Sequence, residues 1–267
     1  MKPTISIISG IYNCVDTLPE AIESILAQTA TDWEWILCDD ASRDDTYAVA
    51  KAYAEKYPDQ FVLLQNQQNM GLNYTLNKCL EYARGQYIAR MDGDDVCLPE
   101  RFATELAALE EEPEISIVST DMAFFDETGV WGRISHPAYP ENKDFLQGSP
   151  FCHAPCMVRK EAYDAVNGYS VDEKLLRVED YHLWIKMYAK GFRGRNIPLE
   201  LYRMRDDRNA YNRRKFRFRL NEAYVRLLAV KELKLPAYTA VYALRPIIVG
   251  LLPKKLYDIL HKRNLRR

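Results

Sequence analysis

The chain has 267 residues, of which 48% are hydrophobic and 28% charged, an ordinary globular composition that excludes a disordered tail or a fibre. Its opening residues, MKPTISIISGIYN, lack the charged leader, apolar stretch and cleavage site of a signal peptide, so none is expected. The net charge of −2 conceals an asymmetry, because residues 1–199 carry −14 and residues 200–267 carry +12. A basic segment on an acidic body predicts an anionic partner for that segment.

Strands and helices are predicted to alternate along residues 4–120. Short apolar or β-rich runs predict strands over 4–9, 33–39, 61–66, 86–92 and 114–120. Helical spacing predicts helices over 18–28, 44–57, 73–83 and 98–112. The second helix has Asp44 as its expected N-cap and ends before Pro58. This alternation predicts an α/β fold, a Rossmann-like and mainly parallel sheet with helices on both faces.

The six cysteines are scattered through these elements, and no two of them form a CxxC pair. They are Cys14, Cys38, Cys79, Cys97, Cys152 and Cys156. Such spacing indicates free thiols in a reducing compartment rather than disulfides or a zinc site. We therefore expect a cytoplasmic protein.

Carboxylates end two of the predicted strands. Asp39 and Asp40 end the second strand, and Asp92, Asp94 and Asp95 end the fourth, within the hexapeptide RMDGDD. Ligands of such sheets bind beyond the carboxyl ends of the strands, so both groups are expected on one rim. Alone, an acidic triplet is ordinarily a solvated turn, but crowded carboxylates on a shared rim suit a Mg²⁺ or Mn²⁺ ion.

The first predicted turn, SGIYN, contains neither GxGxxG nor GxxxxGK[ST]. Dinucleotide binding of the Rossmann type and P-loop chemistry are therefore poorly supported. A ligand that contains phosphate would need a metal ion to neutralise its charge, and the acidic cluster is the place for that ion.

Four segments in this order resemble the family 2 glycosyltransferases of bacterial polysaccharide synthesis, which are inverting enzymes with a GT-A fold. The segments are SIISGIYN, ILCDDASRDDT, NMGLNYTLNKCLEYARGQYIARMDGDDVCLPERF and VEDYHLWIKMYAKGF. The resemblance covers residues 3–205. It implies a GT-A domain over 1–205, with a nucleotide-sugar half over about 1–95 and an acceptor half over about 96–205.

The resemblance implies a set of donor-binding residues. Asp40 would accept a hydrogen bond from the uracil ring of the donor nucleotide, with Asp39 beside it. Asp92 and Asp94 would contact the ribose and the diphosphate, the latter through Mg²⁺ or Mn²⁺. Whether Asp94 or Asp95 ligates the metal is left open by the sequence. The other implied donor-binding residues are Gly10, Tyr12, Asn13, Asn69, Gly71, Arg203 and Arg205.

The acceptor half would supply the catalytic base. In VEDYHLW, Asp180 matches the base that takes the proton from the attacking acceptor hydroxyl, and Glu179 would orient it or contact the acceptor. A Glu-Asp pair at a helix N-terminus is otherwise ordinary dipole compensation. His153 and Trp184 are assigned to the acceptor side, with a structural histidine and a core tryptophan as the alternatives.

The expected activity is transfer of one sugar from a nucleotide sugar, UDP-linked by the resemblance, to a saccharide or lipid-linked acceptor. The Q-x-x-R-W sequence of processive members is absent, which favours a single transfer over polymerisation. Two alternatives remain. A sugar-nucleotide nucleotidyltransferase would need a Gly-rich basic N-terminal loop, and a non-catalytic carbohydrate- or nucleotide-binding protein of the same fold would be expected to have lost carboxylates.

Residues 206–267 are predicted to form basic amphipathic C-terminal helices. Residues 209–234 read as one long basic helix, and the apolar sequence after it is interrupted by Arg245, Pro246 and Pro253, so no spanning helix is expected. Aromatic and aliphatic residues mixed with Lys and Arg suit an anionic membrane surface, which predicts peripheral attachment at the inner face of the membrane. The alternative is a helical pair packed on the body. Nucleic acid is not expected as a partner.

Overall fold

The computed structural model describes residues 2–206 and 216–252, and within these ranges nine strands form one sheet. The strands are β1 (Ile5–Ile11), β2 (Trp33–Asp39), β3 (Phe61–Gln65), β4 (Tyr87–Arg90), β5 (Val96–Cys97), β6 (Ile117–Asp126), β7 (Gly129–Ile134), β8 (Met157–Arg159) and β9 (Gly194–Arg205). The helices are α1 (Leu18–Leu26), α2 (Thr46–Lys56), α3 (Leu72–Tyr82), α4 (Arg101–Glu111), α5 (Lys160–Ala165), α6 (Glu179–Ala189), α7 (Phe216–Glu232) and α8 (Leu244–Gly250).

The first half of the sheet is parallel, as the alternation of strands and helices predicted. Its order is β3-β2-β1-β4, and each neighbouring pair runs in the same direction. The carboxyl ends of β1, β2 and β4 therefore meet at one rim. One detail of the prediction was wrong: Asp45, not Asp44, occupies the N-cap of α2. The Asp44 carboxylate instead accepts the Thr46 N–H at 3.0 Å.

The second half of the sheet mixes directions. Strand β8 runs antiparallel to both β4 and β6, whereas β9 runs parallel to β6 and antiparallel to β5. Strand β7 forms a hairpin with β6. In the predicted acceptor half the sheet is therefore mixed rather than parallel. This arrangement places the loop 151–156 and helix α6 near the rim.

Alternation along the strands builds a core on each face. Ile7 and Trp35 point into the cluster that α1 and α4 cover, whereas Ile8 and Ile36 point into the cluster on the other face. Because both faces are buried, the strands read as continuous apolar runs, as is typical of parallel sheets.

Helix α7 packs on the body through the second of these cores. Val225, Ala229 and Leu233 are buried there, and the buried Arg226 donates to the carbonyls of Leu146 at 2.5 Å and Gln147 at 3.0 Å. The predicted helix over 209–234 is observed from residue 216, because 207–215, like 253–267, lie outside the described residues. Within the described ranges, no helix combines the length and the apolarity needed to cross a membrane.

Candidate active site

Asp39 and Asp40 are buried at the carboxyl end of β2, and both are hydrogen-bonded inside the protein. Asp39 accepts from the Ser42 N–H at 3.2 Å and from Gln65 Nε2 at 3.1 Å. Asp40 accepts three hydrogen bonds of 2.8 Å each, one from Asn66 Nδ2 and two from backbone N–H groups in the turn before α3. Asp40 therefore positions that turn at the rim.

The turn before α3 contains the predicted residues Asn69 and Gly71. Gly71 is the N-cap of α3 with a φ of +87°, a conformation that favours glycine, and its N–H is one of the donors to Asp40. Asn69 is exposed in the same turn. The N-terminus of α3 is thereby tethered to the end of β2.

The loop after β1 joins this edge of the rim. Gly10 lies within β1, and Tyr12 is 41% exposed. Asn13 has a φ of +50°, and its Oδ1 accepts the Arg43 N–H at 2.8 Å. The structure thus brings together the ends of β1 and β2 and the start of α3, on which the predicted nucleotide-contacting residues lie.

The acidic cluster contains a tight turn at Gly93. An added Cβ at Gly93 would lie 2.9 Å from both Cys14 Sγ and Ile11 Cγ2, so only glycine fits. Before this turn, the buried Arg90 donates from Nη2 to Asp92 Oδ1 at 2.6 Å. Burial opposes the charge of Arg90, but the charges of Asp92 and its neighbours outweigh burial and raise the pKa of Arg90.

Asp94 and Asp95 have opposite environments. Asp95 is buried, accepts the Tyr202 hydroxyl at 2.9 Å and accepts the Arg205 N–H at 2.8 Å. Asp94 is exposed, and no hydrogen bond or ion pair to another described residue engages its carboxylate. Partial burial and the charge of Asp92 nevertheless raise the pKa of Asp94. Burial, followed by the charges of Asp92 and Asp94, raises the pKa of Asp95 well above its ordinary value.

Arg203 and Arg205 lie in β9. Arg205 donates from Nε to the Asp94 carbonyl at 3.0 Å, forms an ion pair with Glu20, and lies 4.5 Å from the centre of the Phe125 ring. Arg203 Nε is buried and has no hydrogen-bond partner in the part of the chain that the structure describes. Both arginines flank the acidic turn.

Helix α6 presents the predicted base at its first turn. The helix begins at Glu179, so Asp180 is its second residue and lies at the positive end of the helix dipole. Burial and the charge of Glu179 raise the pKa of Asp180 to about 6, against the opposing effects of the Tyr181 N–H and the charge of Arg90. Glu179 Oε2 is buried without a hydrogen-bond partner among the described residues.

His153 and Trp184 pack edge to face next to this helix turn. His153 Nε2 lies 2.8 Å from the Tyr169 hydroxyl, and burial together with the charge of Arg90 lowers the pKa of His153 well below its ordinary value. Trp184 is fully buried, with its ring centre 5.9 Å from that of His153 and 5.7 Å from that of Phe151. Trp184 therefore supports His153 from the core and has no exposed face for a sugar.

Arg90 is the central residue that the sequence analysis did not assign. It forms an ion pair with Asp92, and its charge lowers the pKa values of Asp94, Asp180 and His153. The sequence did contain a signal for Arg90, because a cation stands there directly before an acidic cluster at the end of a strand. The hydrogen bond from Tyr202 to Asp95 could not be predicted from local sequence, because Tyr202 lies in β9, more than 100 residues later.

Within residues 2–206 and 216–252, no group of three or more His, Cys, Asp or Glu side chains lies close enough to hold a metal ion by itself. A metal at Asp94 would have to complete its shell with water and ligand oxygens. This is the usual way in which Mg²⁺ is held next to a phosphate-containing substrate.

The sequence has clear relatives. The model of the family described as "Glycosyl transferase family 2" matches residues 6–166. The chain is 42% identical over 263 residues to the putative glycosyltransferase EpsE of Bacillus subtilis, covering 98% of this chain and 95% of EpsE. It is 25% identical to WfaP of Escherichia coli, named as a UDP-Glc:α-D-GlcNAc-diphosphoundecaprenol β-1,3-glucosyltransferase, covering 97% of this chain and 98% of WfaP.

Solved structures share the fold. TarS residues 1–349 of S. aureus, in complex with UDP-GlcNAc, superimpose with a TM-score of 0.69 at 17% identity, over 94% of this chain and 76% of that one. The mannosyltransferase PcManGT of Pyrobaculum calidifontis, in complex with GDP-Man and Mn²⁺, gives a TM-score of 0.64 at 19% identity, over 98% and 79% of the two chains. The fold is thus GT-A, as the resemblance implied.

Proposed function

Since the chain belongs to glycosyl transferase family 2, we propose that it transfers one sugar from a UDP-sugar, with inversion, to a saccharide or lipid-linked acceptor in polysaccharide biosynthesis. The observation that carries the proposal is the contrast between two carboxylates: Asp94 is exposed and has no hydrogen bond or ion pair to another described residue, whereas Asp180 has a pKa of about 6. The charge of Arg90 acts on both. Residues 1–95 would bind the donor and 96–205 the acceptor.

The donor nucleotide would lie against the ends of β1 and β2. A carboxylate has about four acceptor positions, and three on Asp40 are used, so one remains for the imide N–H of uracil. Tyr12, exposed at the same edge, would cover the base. A uridine donor is supported by the name of WfaP and by the UDP-GlcNAc complex of TarS.

A divalent metal ion would bind at Asp94. Burial and, after it, the charge of Asp92 raise the pKa of Asp94, and a cation would relieve this crowding; the carboxylate has no hydrogen bond or ion pair to another described residue. Asp95 is a poorer ligand because Tyr202 and Arg205 already engage both of its oxygens. When bound, Mg²⁺ or Mn²⁺ would stabilise the charge on the leaving diphosphate. PcManGT was solved with Mn²⁺ beside its nucleotide sugar.

Asp180 would act as the general base. Its carboxylate would accept the proton of the acceptor hydroxyl as that oxygen bonds to the anomeric carbon. The bond from this carbon to the diphosphate oxygen breaks on the opposite face, and its electron pair leaves with the nucleoside diphosphate, which inverts the configuration. A pKa of about 6 suits this role, because the group is ionised at neutral pH yet basic enough to take a proton. Glu179 and the neutral His153 would contact the acceptor.

The test is calorimetry of UDP and GDP, with and without Mn²⁺, on the wild type and on Asp94→Ala, with Asp180→Asn as the matched control. We expect Mn²⁺-dependent UDP binding that Asp94→Ala weakens at least tenfold and that Asp180→Asn retains. In a transfer assay with UDP-sugars, Asp180→Asn should lose activity by about 10²-fold or more. Absence of nucleotide binding under every metal condition would overturn the assignment.

A further inference from the structure

Exposed apolar side chains concentrate in the C-terminal helices. Of the 19 large hydrophobic residues that are exposed in the described chain, ten lie within residues 216–252. On α7 they are Phe216, Leu220, Tyr224 and Leu227, at a spacing of i, i+4, i+8 and i+11. This spacing places them in one row on the side of α7 opposite its buried residues Val225 and Ala229.

Helix α8 adds a second row beside the first. Leu244, Ile248 and Leu251 are exposed at a spacing of i, i+4 and i+7. An added Cβ at Gly250 would lie 2.9 Å from Arg219 Cγ and 3.2 Å from Phe216 Cε2, so the end of α8 lies directly against the start of α7. The two rows meet there. We use the name apolar face for Phe216, Leu220, Tyr224, Leu227, Leu244, Ile248 and Leu251.

Cations border the apolar face. Residues 216–252 contain six Lys and Arg against two Asp and Glu, and one of the two acids, Glu222, is paired with Arg219 and Arg226. Arg217, Lys231, Lys234 and Arg245 are exposed. The segments that flank these helices in sequence, 207–215 and 253–267, add net charges of +3 and +5. An apolar surface bordered by positive charge is complementary to anionic lipid.

We propose that the apolar face inserts into the surface of an anionic phospholipid bilayer. Each row would bury its side chains at the boundary between headgroups and acyl chains, while the bordering Lys and Arg contact lipid phosphates. The buried side of α7 stays packed on the body, so binding needs no unfolding of the helices.

The same helix is fastened to the segment that leads to the candidate base. Asn221 Nδ2 donates to the carbonyls of Glu173 at 3.2 Å and Leu176 at 3.0 Å, and Leu176 is itself 40% exposed. Helix α6, with Asp180 in its first turn, begins three residues after Leu176. Resting on the proposed function, this geometry brings the acceptor side of the site close to the bilayer, where an acceptor saccharide with a lipid anchor is located.

The experiment is cosedimentation of the full chain with vesicles of phosphatidylcholine alone and of phosphatidylcholine with 30% phosphatidylglycerol. The variant is Leu220→Glu/Leu227→Glu, and the matched control is Leu199→Glu, which changes an equally exposed leucine on β9. We expect binding to the anionic vesicles that falls with salt, a loss of about tenfold or more in the double variant, and no change in the control. Circular dichroism confirms that each variant is folded.

Equal binding by wild type and double variant, or no binding to anionic vesicles, would overturn the proposal. If light scattering shows a dimer that the double variant dissociates, the face is an interface between copies and the membrane proposal fails. UDP calorimetry on the same proteins separates the two hypotheses. A chain that binds UDP but not vesicles refutes only the membrane surface, whereas one that binds vesicles but no nucleotide refutes the transferase.

Discussion

Arg90 donates a hydrogen bond of 2.6 Å from Nη2 to Oδ1 of Asp92, and the pair is largely enclosed, with 6% of the Arg90 side chain and 24% of the Asp92 side chain exposed. The guanidinium is the cation that balances three carboxylates within four positions. It is also close enough to Asp180 to lower the pKa of that group. One ion pair thereby influences both the proposed metal ligand and the proposed base.

Replacing Arg90 should destabilise the protein strongly. Arg90→Ala leaves Asp92 without its ion-pair partner, and removal of one partner of a largely buried pair costs about 3 kcal/mol or more. Arg90→Lys keeps the charge and should cost less. Urea unfolding followed by circular dichroism measures both variants. A loss below about 1 kcal/mol in the alanine variant would mean that solvent, not Arg90, balances the cluster.

Asp180→Asn should stabilise the protein while it lowers transfer by about 10²-fold or more. The pKa of Asp180 is about 6 in the folded chain and 3.8 ordinarily, so ionisation opposes folding. That cost is absent below pH 4 and complete above pH 6. We expect the free energy of unfolding of the variant to exceed that of the wild type by about 1–2 kcal/mol at pH 8 and by far less at pH 4. Because Asp180 is in partial contact with solvent, this gain is smaller than the full pKa difference would give. Glu161→Gln, at an exposed acid in the first turn of α5, is the control and should show no such difference.

The pH profile of transfer should report the same group. Protonation of Asp180 removes the base, so log kcat/KM should fall with a slope near 1 as pH decreases below about 6. His153 should not contribute, because burial and the charge of Arg90 keep its pKa well below its ordinary value. Initial rates between pH 5 and 8 provide the measurement. A flat profile across this range would contradict the assignment of Asp180.

Tyr202→Phe and Asp94→Asn should separate stability from metal binding. The Tyr202 hydroxyl donates to Asp95 and accepts the Asp92 N–H at 3.2 Å, so its removal leaves buried polar groups unpaired and should cost about 1–3 kcal/mol. Asp94→Asn removes no such bond and should leave stability unchanged or raised. In Mn²⁺ titrations with UDP, only Asp94→Asn should lose the metal dependence. Equal losses in both variants would argue that Asp95 is the ligand.

Gly93→Ala should disturb the acidic turn through packing. The new Cβ would meet Cys14 Sγ and Ile11 Cγ2 at 2.9 Å, and overpacking of this kind costs about 1–3 kcal/mol. In the double variant Gly93→Ala/Cys14→Ala one of the two contacts is removed, so the combined loss should be smaller than the sum of the single losses. Thermal unfolding measures all three variants. Full additivity would show that Cys14 does not limit the space at Gly93.

Local patterns in the sequence were sufficient for the first half of the fold. Apolar runs predicted strands β1 to β4, and helical spacing predicted helices α1 to α4. Strands β5 and β8 have two and three residues, too few for any period to be read. Their positions follow from pairing with β9 and β4 rather than from their own residues.

The residue types of the candidate site were likewise readable from the sequence, since DGDD and ED occur at strand and helix ends where ligands bind. What the sequence by itself determined is the GT-A fold, the glycosyl transferase family 2 and the positions of the crowded carboxylates in the candidate site. Only the tertiary structure decided how each carboxylate is buried and which groups surround it. Asp95 is buried and accepts a hydrogen bond from Tyr202 of β9, Asp94 has no hydrogen bond or ion pair to another described residue, and the charge of Arg90 lowers the pKa values of Asp94 and Asp180, because burial and charge depend on neighbours that are remote along the chain.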